Sequence, residues 1–127
     1  MTIKSYLRLV PFLALSGIAA GCAGSAGVDP SGDAYKALAA HDYAKAREEF
    51  AAAYEKEPHN PFVELDLGAA YQNLGRGDLA DPFYRGVMVD GKGVVPETTT
   101  NPSDAGKTLD AIACEDLQRS VNGTAGC

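Results

Sequence analysis

The chain has 127 residues, 11 Lys and Arg against 17 Asp and Glu for a net charge of −6, and 46% apolar residues with no Trp. That length admits one small domain, the apolar content is too high for wholesale disorder, and an acidic chain gives nucleic-acid phosphates no electrostatic reason to approach. A large two-domain enzyme with its own cofactor fold does not fit in it.

Residues 1–22 read MTIKSYLRLVPFLALSGIAAGC. Lys4 and Arg8 make a basic start, and an apolar run over residues 9–15, interrupted by Pro11, follows. This pattern predicts a secretion signal, because the run is far short of the roughly 18 to 20 apolar residues that cross a bilayer. It ends in Ala19-Ala20-Gly21-Cys22, which resembles the bacterial lipobox, with Ala where Leu is usual at position 19. The resemblance implies a signal peptide over residues 1–21, cleavage before Cys22, and a diacylglycerol-bearing Cys22 as the anchored N-terminus. The alternative is an ordinary secreted protein cut at an A-x-A-like site made by Ala19 and Gly21. Ala23 stands where an Asp would retain a lipoprotein in the inner membrane, so the resemblance points to an outer-membrane lipoprotein facing the periplasm. Cleavage would leave 106 residues with a net charge of −8, since Lys4 and Arg8 are lost and no acid is. Residues 22–31, CAGSAGVDPS, have the small, polar composition of a flexible tether spanning roughly 17 Å.

From residue 33 to 88 apolar residues recur at helical spacing between three turn points: His41-Asp42, Pro58-His59-Asn60-Pro61 and Gly75-Arg76-Gly77-Asp78. Four helices are predicted. In the second, Tyr43, Ala46, Phe50, Ala53 and Tyr54 share one face; in the third, Val63, Leu67, Ala70, Tyr71 and Leu74 do so. An offset of 34 residues aligns Ala34 with Gly68, Ala46 with Ala80, Phe50 with Tyr84 and Ala53 with Val87. That is the period of the tetratricopeptide repeat, and residues 67–84, LGAAYQNLGRGDLADPFY, resemble its L-G-x-x-Y core. The resemblance implies that Gly68 lets the paired helix approach, Tyr71 packs across, Gly75 serves the turn, and Ala80 and Tyr84 fill the small and aromatic sites of the second helix. The preceding unit keeps Tyr43, Ala46, Phe50, Ala53 and a closing Pro58, but has Ala34 and Ala37 where Gly and Tyr are usual. The second unit departs by carrying Pro82 and Gly86 in its last helix, Pro82 being placed near the first turn after an Asp78 cap. An unrelated α-hairpin bundle is the competing reading.

Two repeats over residues 32–90 leave an apolar end face that something must cover. After a linker at residues 91–103, Leu109, Ile112, Ala113, Asp116 and Leu117 form a further mostly apolar face. Residues 104–120 are therefore predicted as a capping helix, within a segment 104–127 that also holds a Cys-containing tail. The fold class is all-α: two tetratricopeptide-like helix-turn-helix repeats plus a C-terminal capping helix, a short α-solenoid. The linker is long for a compact domain, which implies local mobility or contact with a partner.

Motifs that could carry catalysis have simpler explanations. Gly106-Lys107-Thr108 resembles the end of a phosphate-binding loop, but Asn101 stands where its first Gly is required. Arg76-Gly77-Asp78 fits an inter-helix turn followed by a cap, and Asn122-Gly123-Thr124 is a glycosylation sequon by letters only. His41 and His59 read as turn residues, without Cys or acidic neighbours at metal-ligand spacing. Glu48, Glu49, Glu55 and Glu57 read as a solvated helix face. No catalytic, cofactor or metal site is assigned, and the chain is not read as an enzyme. With Cys22 given to lipid, Cys114 and Cys127 remain in an oxidising compartment, where a structural disulfide is the expectation; their spacing differs from the C-x-x-C of redox pairs.

The function expected is that of a lipid-anchored protein-interaction module of the envelope, binding a segment of another envelope, secretion or pilus component in its concave groove. First helices of such repeats line the groove with residues not used for packing. On the third helix these are Phe62, Leu65, Ala69, Gln72 and Asn73, with Asp66 as the nearest charge, and Tyr35 and Leu38 of the first unit beside them. Ser31, Gly32, Leu65 and Asp66 stand where a carboxylate-clamping repeat has Lys and Asn, so an apolar or amphipathic internal segment is preferred to a free C-terminus. The alternative is a self-associating envelope lipoprotein, a homodimer included, whose groove holds another copy or its own chain: the linker around Val94 and Val95, the capping helix or the tether.

Overall fold

The structure, a computed structural model, describes residues 32–120 and residue 127. The signal peptide, Cys22, the tether and the Asn122-Gly123-Thr124 sequon lie outside the described residues. Five α-helices follow one another: α1 (Asp33–Ala39), α2 (Tyr43–Lys56), α3 (Pro61–Asn73), α4 (Gly77–Asp90) and α5 (Leu109–Ser120), with a 3₁₀ turn at Pro102–Asp104. No strand occurs among the described residues, and no helix there is long and apolar enough to cross a membrane. α2 and α4 have equal length and start 34 residues apart, so the repeat read from the sequence is also the repeat of the backbone.

Local chemistry sets the boundaries. The Asp42 carboxylate accepts from the Lys45 amide at 3.2 Å and the Asn60 side chain from the Phe62 amide at 3.1 Å, while Pro61 opens α3 where no amide proton is needed. α1 and α3 end alike. His41 and Gly75, themselves 34 residues apart, both sit at positive φ (59° and 74°), and the next amide in each case reaches back five residues, Asp42 to Ala37 and Arg76 to Tyr71. This is the Schellman closure, which favours Gly at the left-handed position; in the first repeat a histidine occupies it. α4 begins two residues earlier than expected, at Gly77. Asp78 is consequently not its cap; its carboxylate instead receives two hydrogen bonds from Arg76, which hold it below the usual carboxylate range. Pro82 lies on the exposed side of α4, where the carbonyl it leaves unpaired can face water.

Packing runs in sequence order, each helix against its predecessor. The first core joins Ala34, Ala37, Ala46, Phe50, Leu67 and Ala70, with Tyr35 edge-on to Phe50 at 5.2 Å. Phe83 bridges the repeats, stacking on Tyr71 at 5.8 Å and meeting Tyr54 edge-on at 5.3 Å. The second core joins Ala80, Tyr84 and Val87 of α4 to Leu109, Ala113 and Leu117 of α5. Gly68 explains how α3 and α4 come so close: a Cβ there would lie 2.8 Å from the Tyr84 ring. Leu74, expected in the core stripe, is 40% exposed, because it is the C-cap of α3 and the chain has already turned away.

The cap is present and shorter than expected. Residues 104–108 lie outside α5, because Gly106 turns the chain at a φ of +78° between the 3₁₀ turn and α5. The linker is pinned at its start. Gly91 is buried against Leu109 and Pro61, the Leu109 amide donates to the Val94 carbonyl at 2.7 Å, and the Gly93 amide donates to Asp110 at 3.0 Å. Lys107 pairs with Glu115 at 2.6 Å and Asp104 at 3.7 Å, which accounts for it without any phosphate. Cys114 and Cys127 are joined by a disulfide with their Cα atoms 5.9 Å apart, so the last residue is tied to α5.

Candidate functional site: a groove between the inner helices and the cap

α1 and α3 face the C-terminal segment across a groove of about 800 Å³. Its floor and near wall come from Tyr35 and Leu38 of α1 and from Leu65, Asp66, Ala69, Gln72 and Asn73 of α3. Seven of the eight residues expected to line a groove are thus brought together. Spacing explains this: on α3 positions 62, 65, 66, 69, 72 and 73 form a second stripe beside the one made by Val63, Leu67 and Ala70. The far wall comes in part from the capping helix, one of the segments that the alternative reading placed over this stripe. It consists of Ile112, Asp116 and Arg119 of α5, one turn or so apart, and of residues 100–102 and 104.

Phe62 is the exception, and Leu65 is only half what was expected. Both pack against the second core, so they are not free apolar residues awaiting a partner. Phe62 and Leu65 line a smaller recess of about 80 Å³ closed by Pro96, residues 98–100, Leu109 and Ile112. α5 must cover the open end of the second repeat, and in doing so it and the linker also reach the start of α3. Val94 and Val95, the linker residues that the alternative reading placed over this stripe, are 37% and 52% exposed. Beyond residue 65 the groove stays open.

Polar side chains make up most of the groove's lining, and several are fixed by hydrogen bonds. The Tyr35 hydroxyl donates to Asp66 Oδ2 at 2.6 Å. Burial raises the Asp66 carboxyl to about 6, the Tyr35 hydrogen bond opposing that shift, and burial with the adjacent Asp66 charge pushes the Tyr35 phenol upward. Gln72 accepts from the buried Tyr84 hydroxyl at 2.5 Å, which binds the groove wall to the second core. Asn73 donates to the Ala69 carbonyl at 2.8 Å. Across the groove Asp116 pairs with Arg119, burial raising its carboxyl against that partner, and Asp104 adds a third acid. Three carboxylates against one guanidinium make the lining acidic. Its histidine, His41, lies 2.7 Å from the Tyr43 hydroxyl through Nδ1.

Residues 37–85 match the family model described as Tetratricopeptide repeat. Over these 49 of its 127 residues the chain is similar to the tetratricopeptide repeat. With five helices in repeat order, the described domain is a short α-solenoid of helical repeats, and the groove occupies the position where such solenoids present their concave binding surface. No curated protein and no solved structure matches the chain.

One cluster escaped the sequence reading altogether. His59, Glu64 and Asp90 converge where the turn before α3 meets the end of α4, with ligand-type atoms all within 4.8 Å of one another. Residues 59 and 90 are 31 apart in sequence, so a search for short ligand spacings passes over them.

Proposed function

We propose that this protein is a lipid-anchored interaction module of the bacterial envelope, held at the outer membrane through Cys22 and facing the periplasm, where its groove binds an internal segment of another envelope, secretion or pilus component. The observation that carries the reading is the groove itself: about 800 Å³, walled by the repeat's inner helices, with apolar sides and a partly buried acid on its floor. That volume lies in the range of specific binding clefts. Leu38 and Ala69 offer apolar contact, while Asp66 offers one oriented acceptor. The ligand that complements it is an amphipathic segment with apolar side chains and one Lys or Arg placed over Asp66. A free C-terminal carboxylate would meet Asp66, Asp104 and Asp116, and is disfavoured. The lipobox resemblance of residues 19–22 supports the anchor, and the acidic tether-plus-domain composition suits a domain held just clear of headgroups.

Proteins that co-purify with the wild type from solubilised envelopes should be lost from Asp66→Lys and Leu38→Asp. Both variants should keep the wild-type circular dichroism, since Leu38 is only partly buried and Asp66 opens onto the groove. Retention of the same proteins by both folded variants would refute the groove as the binding site.

A further inference from the structure

Away from the groove, α3 buries a carboxylate that is left with one oxygen unpartnered among the described residues. Glu64 is 3% exposed in the first turn of α3, and its Oε2 has no hydrogen-bond partner among the described residues. The charged groups that act on it are Asp90, which raises its pKa together with burial, and His59, which opposes them. His59 is held at a φ of 72° in the turn before α3, a conformation few non-glycine residues adopt, and its Nδ1 lies 3.0 Å from Asp90 Oδ2. Gly86 backs the cluster one turn before Asp90. Any Cβ there would come within 2.7 Å of Glu64 Oε1, so the missing side chain leaves the room the carboxylate occupies.

We propose that His59, Glu64 and Asp90 form a binding site for one divalent transition-metal ion of the zinc type. An imidazole nitrogen with two carboxylate oxygens is a donor set that zinc takes readily, whereas calcium and magnesium take oxygen ligands. Two ligands of one tetrahedral zinc at about 2.0 to 2.1 Å stand about 3.3 Å apart, close to the 3.0 Å between His59 Nδ1 and Asp90 Oδ2. The His59 side chain is 77% exposed and free to adjust, and the solvent side leaves a fourth position for water. The ion supplies the positive charge that the buried Glu64 oxygen lacks. It also ties the α2–α3 turn to the end of α4, so its role is to clamp the second repeat.

Full-length protein purified in mild detergent, stripped with EDTA and dialysed, is titrated with zinc chloride and, separately, with magnesium chloride. Calorimetry should show one equivalent of zinc bound, and thermal melts should shift upward with zinc and not with magnesium. His59→Ala and Asp90→Asn should each weaken zinc binding about tenfold or more and abolish the thermal shift, as should Glu64→Gln, while His41→Ala should leave both unchanged. His59 and Asp90 are exposed, so their variants decide the matter even if Glu64→Gln fails to fold. Absence of zinc binding in the wild type, or binding and thermal shift that survive in His59→Ala and Asp90→Asn, would overturn the site.

Discussion

Gly68 lies under the Tyr84 ring with no space for even a methyl group, and this one contact sets the separation of α3 and α4. Gly68→Leu should therefore lower stability by about 1 to 3 kcal/mol, read as a fall in the melting point of several degrees by circular dichroism. An unaltered melting point would show that the helices are not in close contact there. Both partners of the pair could be found in the sequence, because the 34-residue offset and the L-G-x-x-Y pattern single them out. Asp66 could be placed near the groove, but its environment could not be read, since burial and the Tyr35 hydroxyl arise only when α1 and α3 pack. That environment has a measurable consequence. The Asp66 carboxyl titrates near 6 in the folded state, above its ordinary 3.8, so the native chain keeps the proton longer than the unfolded chain does. Its contribution to stability is present below the ordinary value and is lost as pH rises through about 6, on the order of 2 kcal/mol once partial exposure is allowed for. Glu64 and Asp116 are raised too and act in the same direction. Melting points should fall from pH 4.5 to pH 7, and Asp66→Asn should flatten that fall; an equal slope in the variant would mean that Asp66 is fully solvated.

α5 is the element on which the rest of the domain depends. Leu109, Ala113 and Leu117 cover Ala80, Tyr84 and Val87, which would otherwise form the exposed end of a two-repeat stack. The apolar face of α5 was legible from its spacing, but its first turn was not. The helical pattern continues backward to Asp104, and only the left-handed conformation of Gly106 interrupts it. Phe62 and Leu65 show a different limit. Periodicity sorts a helix into stripes and does not say which later segment lies on the second stripe, so two core residues were read as a binding surface. Changing both to Ser should now cost about 2 to 4 kcal/mol, well above the surface range of about 0.5 kcal/mol, because apolar contacts with the linker and α5 are removed. A loss of stability within the surface range would restore them to an open groove. The Cys114–Cys127 bridge fastens the tail to this same helix across 13 residues. Freshly isolated protein should yield neither cysteine to alkylation without reductant, and reduction should lower stability by about 3 kcal/mol. Two alkylatable thiols at these positions would exclude the bridge, and a covalent dimer would place it between chains.

At the scale of the whole molecule, the proposal joins a helical-repeat domain to a tether and a lipid anchor at Cys22. The repeat segment and the cap pack in sequence order, and the acidic groove lies between them. The anchor rests on residues 19–22, and its test is direct: Cys22→Ser should move the protein from the detergent phase to the aqueous phase and remove the lipid mass, whereas unchanged mass and partition would exclude lipidation. The claim that joins all scales is that a protein segment occupies the groove over Ala69. A photo-crosslinking amino acid placed at Ala69 in growing cells, with a second at the exposed Ala52 on α2 as reference, measures it. The account predicts an adduct with one protein partner at Ala69, absent at Ala52 and abolished when Asp66→Lys is added. Equal adducts at both positions, or adducts at Ala69 only within this chain or with a second copy of it, would contradict it.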